Sequence, residues 1–208
     1  MIWICGAICC FVMVAVSTLA LAARSLGKKT RVRELTIVAH DLRMLSQGEL
    51  RFFEDQYGAY PSAATIPLVR EETGTTMSLG TTTSNDYFRQ LLAAGLGDEK
   101  MFFGFRRADL RTDGARALEK DECGIAYVPG LRSSDDPTLP VAIAPVLPSR
   151  KGLDPERFEG AAVILHINGE VRTYPLRNDG KIVLGGGTLF DPTRPEWNGK
   201  TLTIAWPE

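Results

Sequence analysis

The sequence predicts an α+β protein in which a long N-terminal transmembrane-plus-amphipathic helix packs on a small antiparallel sheet. Three observations carry this. No charged side chain occurs from Met1 to Ala23. From Arg31 to Gln56 apolar residues recur every three or four positions, and no proline precedes Pro61. The C-terminal half is a series of short apolar or alternating runs, broken by turn dipeptides without helical segments between them.

The first element is residues 1–23, expected to be a transmembrane helix. At 1.5 Å per residue such a run reaches roughly 34 Å, enough to cross the ~30 Å hydrocarbon core. A cleaved secretory signal is the competing reading, since Ala20-Leu21-Ala22 has the small-x-small form of a cleavage site. Against it, the start lacks a basic region, and the apolar run exceeds the roughly 7–15 residues of a usual signal. Cys5, Cys9 and Cys10 lie in this run and read as small hydrophobes. Only Cys123 lies outside it, so the rest of the chain has no internal disulfide framework. Arg24, Lys28, Lys29, Arg31 and Arg33 then form a basic collar suited to the membrane interface. The positive-inside rule taken alone would place that collar in the cytoplasm.

Residues 24–57 read as the amphipathic continuation of the same helix. Leu35, Val38, Leu42, Leu45 and Phe52 form the expected packing face, with Glu49 as its one polar interruption. Gly48 weakens the helix locally by about 1 kcal/mol. Gly58 is placed to cap the helix in a left-handed conformation, and Pro61 prevents its resumption.

Residues 58–208 read as a head domain. Residues 62–84, rich in Thr, Ser and Gly, read as loop. A short helix follows, with Ser84 or Asn85 as cap, Asp86 in the first turn, Gly95 at the end and Phe88, Leu91 and Leu92 facing the core. Strands are expected over 124–128, 141–147, 161–167, 171–176, 181–185 and 202–206. Asn168-Gly169 predicts a type I′ hairpin, and Asp179-Gly180 marks the next turn. Tight turns without crossover helices predict a meander.

In layout the chain resembles the type IV pilin and pseudopilin family, particularly the major pseudopilin of type II secretion systems. The resemblance rests on the apolar-then-amphipathic N-terminal helix, the later antiparallel runs, and the stretch FFEDQYGAYPS, in which Tyr57, Gly58, Tyr60 and Pro61 match the family's helix-ending turn. It implies a non-catalytic structural or assembly component of a type II secretion or type IV pilus-type system. The protein would be held in the inner membrane with its head outside the cytoplasm, because the family exports its head despite basic residues after the apolar segment. Implied partners are other pilin-like or secretion-system subunits, and membrane lipid through residues 1–23. The chain departs from the family in two respects. It has no basic leader ending in Gly, and no acidic residue before Glu34, where the family carries a Glu that pairs with a neighbour's terminal amine. A membrane-anchored envelope adaptor that does not polymerise is therefore the alternative.

Signs of other chemistry are sparse. A formal charge of −1 over 208 residues gives no reason to expect nucleic acid as a partner, because binding it needs a clustered basic surface. His40 and His166, the two histidines, have no second ligand at metal spacing and read as structural or surface residues. Cys123 follows Asp121 and Glu122, which disfavour a thiolate. The GGGT at 185–188 lacks the following Lys of a phosphate loop and reads as a turn. The stretch SSDDP offers Asp135 and Asp136, with a distant Asp191, as a calcium candidate against the plainer reading of a solvated turn. Major pseudopilins often hold calcium near the C-terminal sheet, which is the resemblance's contribution to that reading. An anchored hydrolase using Asp135 or Glu122 has no recognisable constellation behind it. No other cofactor is expected.

Overall fold

The computed structural model describes residues 30–105, 114–147, 151–185, 187–200 and 203–208. The expected membrane span and most of the basic collar lie outside the described residues. Among the described residues no helix is long and apolar enough to cross a membrane.

Helix α1 runs over residues 30–44, continues without a break through a π-helical turn at Leu45–Glu49, and becomes α2 at Leu50–Tyr57. In the π-turn the Leu50 N–H donates to the Leu45 carbonyl, five residues back rather than four. Gly48, the weakest helix former of the segment, lies inside it. The extra residue rotates everything that follows. Val38, Leu42 and Leu45 are buried as the heptad-like spacing requires, and Leu35 is partly buried against the same core. Beyond the turn the buried positions are Leu50, Phe53 and Tyr57, while Phe52 is 61% exposed. Phe52 is thus removed from the packing face, because an unbroken 3.6-residue period places it inward and the π-turn moves Phe53 there instead. Gly58 ends the helix in the left-handed conformation (φ 79°), and its N–H bonds to the Glu54 carbonyl at 2.7 Å.

Three further α-helices are described before the sheet. The stretch read as loop contains α3, Ile66–Thr73, which starts with Pro67 in its first turn and ends on left-handed Gly74. Helix α4 is Ser84–Ala93. Its N-cap is Thr83, one residue before the expected caps. Thr83 Oγ1 accepts the Asp86 N–H while the Asp86 carboxylate accepts the Thr83 N–H, forming a capping box. A four-residue helix, α5, covers Lys100–Phe103, and Phe102 stacks on Phe88 at 4.5 Å.

The sheet is an antiparallel meander in the order β1 (Ala126–Tyr127), β2 (Pro140–Ala144), β3 (Ala161–His166) and β4 (Val171–Pro175). β3 pairs on both sides and is buried on both faces. The β3–β4 loop differs in type from the expected one. Asn168 does not take the positive φ that a type I′ turn needs, and only Gly169 does (φ 82°). The Gly169 N–H bonds the His166 carbonyl and the His166 N–H bonds the Glu170 carbonyl, a type I turn closed by a left-handed glycine. β5 (Val183–Leu184) and β6 (Gly187–Thr188) form a separate small hairpin, of which only β5 was expected. The expected last strand reduces, among the described residues, to a single bridge of Ala205 with Tyr127 along the free edge of β1.

Helix and sheet share one hydrophobic core. Polar ties run along the helix in step with it. Arg157 pairs with Glu34 at 3.4 Å, the Ser133 N–H donates to Glu54 Oε1 at 3.0 Å, and the Tyr127 hydroxyl donates to the Pro61 carbonyl at 3.0 Å.

Candidate functional site

The outer face of the helix carries the first candidate. Ile37 (45% exposed), Met44 (46%) and Phe52 (61%) are large apolar side chains in water. Ile37 and Met44 are seven residues apart, and Met44 and Phe52 eight, with the π-turn's extra residue between them. All three therefore lie along one line of the helix. Each directly precedes a core residue, Val38, Leu45 and Phe53, so the exposed row runs about 100° around from the buried one. One apolar stripe of the helix packs on the chain's own core, and this second row is left in water. Sequence periodicity registers these positions, but a single-stripe reading assigns Phe52 to the core and leaves Ile37 and Met44 unused.

A second group lies where β3, β4 and the segment before β2 meet. His166 is 4% exposed. Its Nδ1 is 2.6 Å from the Thr138 carbonyl, which can only accept, so Nδ1 carries the proton. Nε2 then accepts the Tyr174 hydroxyl at 2.9 Å. Burial holds the imidazole below its ordinary pKa, and the Arg172 charge adds to the shift, against the hydrogen bond from Nδ1 and the Glu170 charge. The neutral ring is thus a fixed bridge between β3, β4 and the segment before β2. The adjoining cleft, about 190 Å³, is lined by two arginines that are each already paired: Arg172 with Glu170 at 2.6 Å and Arg194 with Glu196 at 2.7 Å.

The carboxylates singled out for calcium are engaged in their own turns. Asp135 pairs with Lys200 and accepts the Arg132 N–H at 2.9 Å. Asp136 accepts the Thr138 N–H at 2.8 Å and hydroxyl at 2.6 Å, which hold its carboxyl below the usual range. Asp191 does the same for Thr193. Among the described residues no group of three or more His, Cys, Asp or Glu side chains is placed to hold a metal ion. Glu122 accepts the Glu119 N–H, and Cys123 is fully buried with its Sγ 3.3 Å from the Ile125 carbonyl. His40 is exposed on α1. In the helix-ending turn, Tyr57 and Tyr60 are buried in the core, while Gly58 makes the cap.

The polar residues of α4 are not confined to the surface. Asn85, Arg89 and Gln90 are buried. Arg89 Nε donates to the Ala117 carbonyl at 2.9 Å, and Nη2 donates to the Leu118 carbonyl at 2.6 Å and to Glu208 Oε1 at 3.0 Å. No sequence pattern marks an arginine whose partners are backbone carbonyls 28 and 29 residues away.

Comparison with family models, curated proteins and solved structures yields no match to this chain.

Proposed function

We propose that this protein is a non-catalytic, pilin- or pseudopilin-like subunit of a type II secretion or type IV pilus-type system. Residues 1–23 anchor it in the inner membrane, and its head lies outside the cytoplasm. The observation that carries the reading is the exposed row Ile37, Met44 and Phe52, running beside the buried row on a helix that follows an apolar N-terminal segment. A subunit that packs its spine against the spines of its neighbours needs one apolar stripe for its own head and another for the next copy. The capped end at Gly58 and the antiparallel meander that follows are consistent with the same plan.

The second reading, an anchored adaptor that does not polymerise, is favoured by the absence of an acidic residue from Met1 to Arg33. Photo-crosslinking from position 44 in native membranes separates the two. Ladders of the chain with itself support the subunit. Crosslinks confined to a different envelope protein support the adaptor, and a Met44 position that crosslinks only to lipid or to nothing would sink both.

A further inference from the structure

Between the π-turn of the helix and the tip of the β3–β4 hairpin lies a cleft of about 340 Å³. Ser46, Gln47 and Arg51 line it from the helix, Asn168 from the hairpin, and Tyr60 and Ser133 from the connecting segments. The contents of the cleft are one-sided. Among the described residues, the hydroxyls of Ser46, Ser133 and Tyr60, the Gln47 amide and the Arg51 guanidinium have no hydrogen-bond or ion-pair partner. Asn168 uses its carbonyl oxygen to accept the Glu170 N–H, which leaves its amide N–H groups as donors. No carboxylate is among the lining residues. Two acids lie close enough for their charge to reach Tyr60, and each is already engaged: Glu54 accepts the Ser133 N–H at the edge of the cleft, and Asp135 pairs with Lys200.

The tyrosine makes this more than a wet surface. Its residue is only 3% exposed, so the ring is fixed in the core. Rigid placement of a donor is what distinguishes a site from mobile side chains in solvent. Five neutral groups able to donate and one guanidinium, with no acid among them, match an acceptor that carries negative charge on oxygen.

We propose that this cleft binds an oxyanion, a carboxylate or phosphate group, with Arg51 as its counter-ion and Tyr60, Ser46, Ser133 and Asn168 as neutral donors. The site does not depend on the assembly reading, because its residues lie off the row of Ile37, Met44 and Phe52.

The test is calorimetric titration of the full chain in detergent with inorganic phosphate and, separately, with acetate. Saturable binding of either probe is expected, and the one that binds identifies the group as phosphate or carboxylate. Arg51→Gln should weaken it by at least about tenfold, as loss of a charge-assisted pair does. Asn168→Ala should weaken it less, and Arg43→Gln, an exposed arginine of the same helix outside the cleft, should leave it unchanged. Arg51 is exposed, so the folded state of its variant can be checked by an unchanged unfolding midpoint. Absence of saturable binding of both probes overturns the proposal, as does equal weakening by Arg51→Gln and Arg43→Gln. Failure to self-crosslink from position 44 would leave these titrations unaffected, so the two readings fail separately.

Discussion

Gly169, at the tip of the β3–β4 hairpin, abuts Ser46 in the π-turn of the helix: a Cβ on residue 169 would lie 2.8 Å from Ser46 Oγ. The glycine is also held at φ 82°, where an L-residue is strained. Gly169→Ala is therefore expected to destabilise the chain by about 1–3 kcal/mol, part strain and part contact. Ser46→Ala removes the contact and leaves the strain. In that background the same substitution should cost about 1–2 kcal/mol. Urea unfolding of all four chains of the cycle gives the coupling, and a coupling of zero would mean that the hairpin does not rest on the π-turn.

The neighbouring pair Phe52 and Phe53 should respond in opposite ways. Phe53 is fully buried, and Phe53→Ala is expected to cost about 3–5 kcal/mol. Leu42→Asp, at a position with no exposure, places a charge in the core and should abolish folding. Phe52→Asp should leave the unfolding midpoint within about 0.5 kcal/mol of the original and should lower self-association in membranes. A large stability loss for Phe52→Asp would place the π-turn wrongly, since only an unbroken helix puts that ring inside.

How far the sequence discloses this molecule follows from the range of the forces involved. Val38, Leu42 and Leu45 are readable because helical period and burial agree over several turns. Gly58 is readable because a cap is a local event. The meander is readable from its turns, although Asn168-Gly169 adopts a different turn from the one its dipeptide favours, with only Gly169 at positive φ. The π-turn is one residue of slippage, which periodicity over a short window does not resolve, and Phe52 is the residue misplaced by it. Helix α3 hides in a Thr- and Gly-rich stretch because only its middle is helix-like. The polar cleft is least legible. Ser46, Tyr60 and Asn168 are distant in sequence, and no local pattern records that their donors converge.

Arg89 supplies the next prediction. Its guanidinium takes the Ala117 and Leu118 carbonyls, Asp86 Oδ1 at 3.3 Å and Glu208 Oε1, so it ties α4 to the segment before β1 and to the C-terminus. Arg89→Met keeps the volume but leaves the Ala117 carbonyl without its donor, the Leu118 carbonyl with Asn85 alone and the Asp86 carboxylate without its counter-ion, with an expected loss of about 3–5 kcal/mol. Arg89→Lys should not rescue it, because a single ammonium cannot reproduce the planar fork. Hydrogen exchange is the discriminating measurement. The Leu118 N–H, bonded to Glu99 Oε1 at 2.9 Å, should lose protection in both variants. Retained protection in Arg89→Lys would show that charge alone holds the segment.

Acid and base should pull stability in opposite directions through two residues far apart. Burial, with Asp98 adding to it and His40 opposing it, pushes the Asp41 carboxyl from 3.8 up to about 6. A raised carboxyl binds its proton more tightly in the folded chain. Its contribution is full below pH 3.8 and is lost as pH rises through about 6. At full strength the shift is worth about 3 kcal/mol, and at a half-buried site screening reduces this to about 1 kcal/mol. His166 works the other way. Burial lowers its pKa from 6.5, so its contribution is full above pH 6.5 and is lost as pH falls below that value toward the depressed folded pKa. Asp41→Asn should therefore remove the fall in stability between about pH 4 and 6. His166→Gln should lower stability at neutral pH through the lost Tyr174 and Thr138 bonds, yet flatten the acid limb just below pH 6.5. Unfolding midpoints of the three chains across pH 4–8 decide the matter. An unchanged profile in Asp41→Asn would mean that the carboxyl is solvated in the folded chain, and a steeper acid limb in His166→Gln would mean that the ring folds in its protonated form.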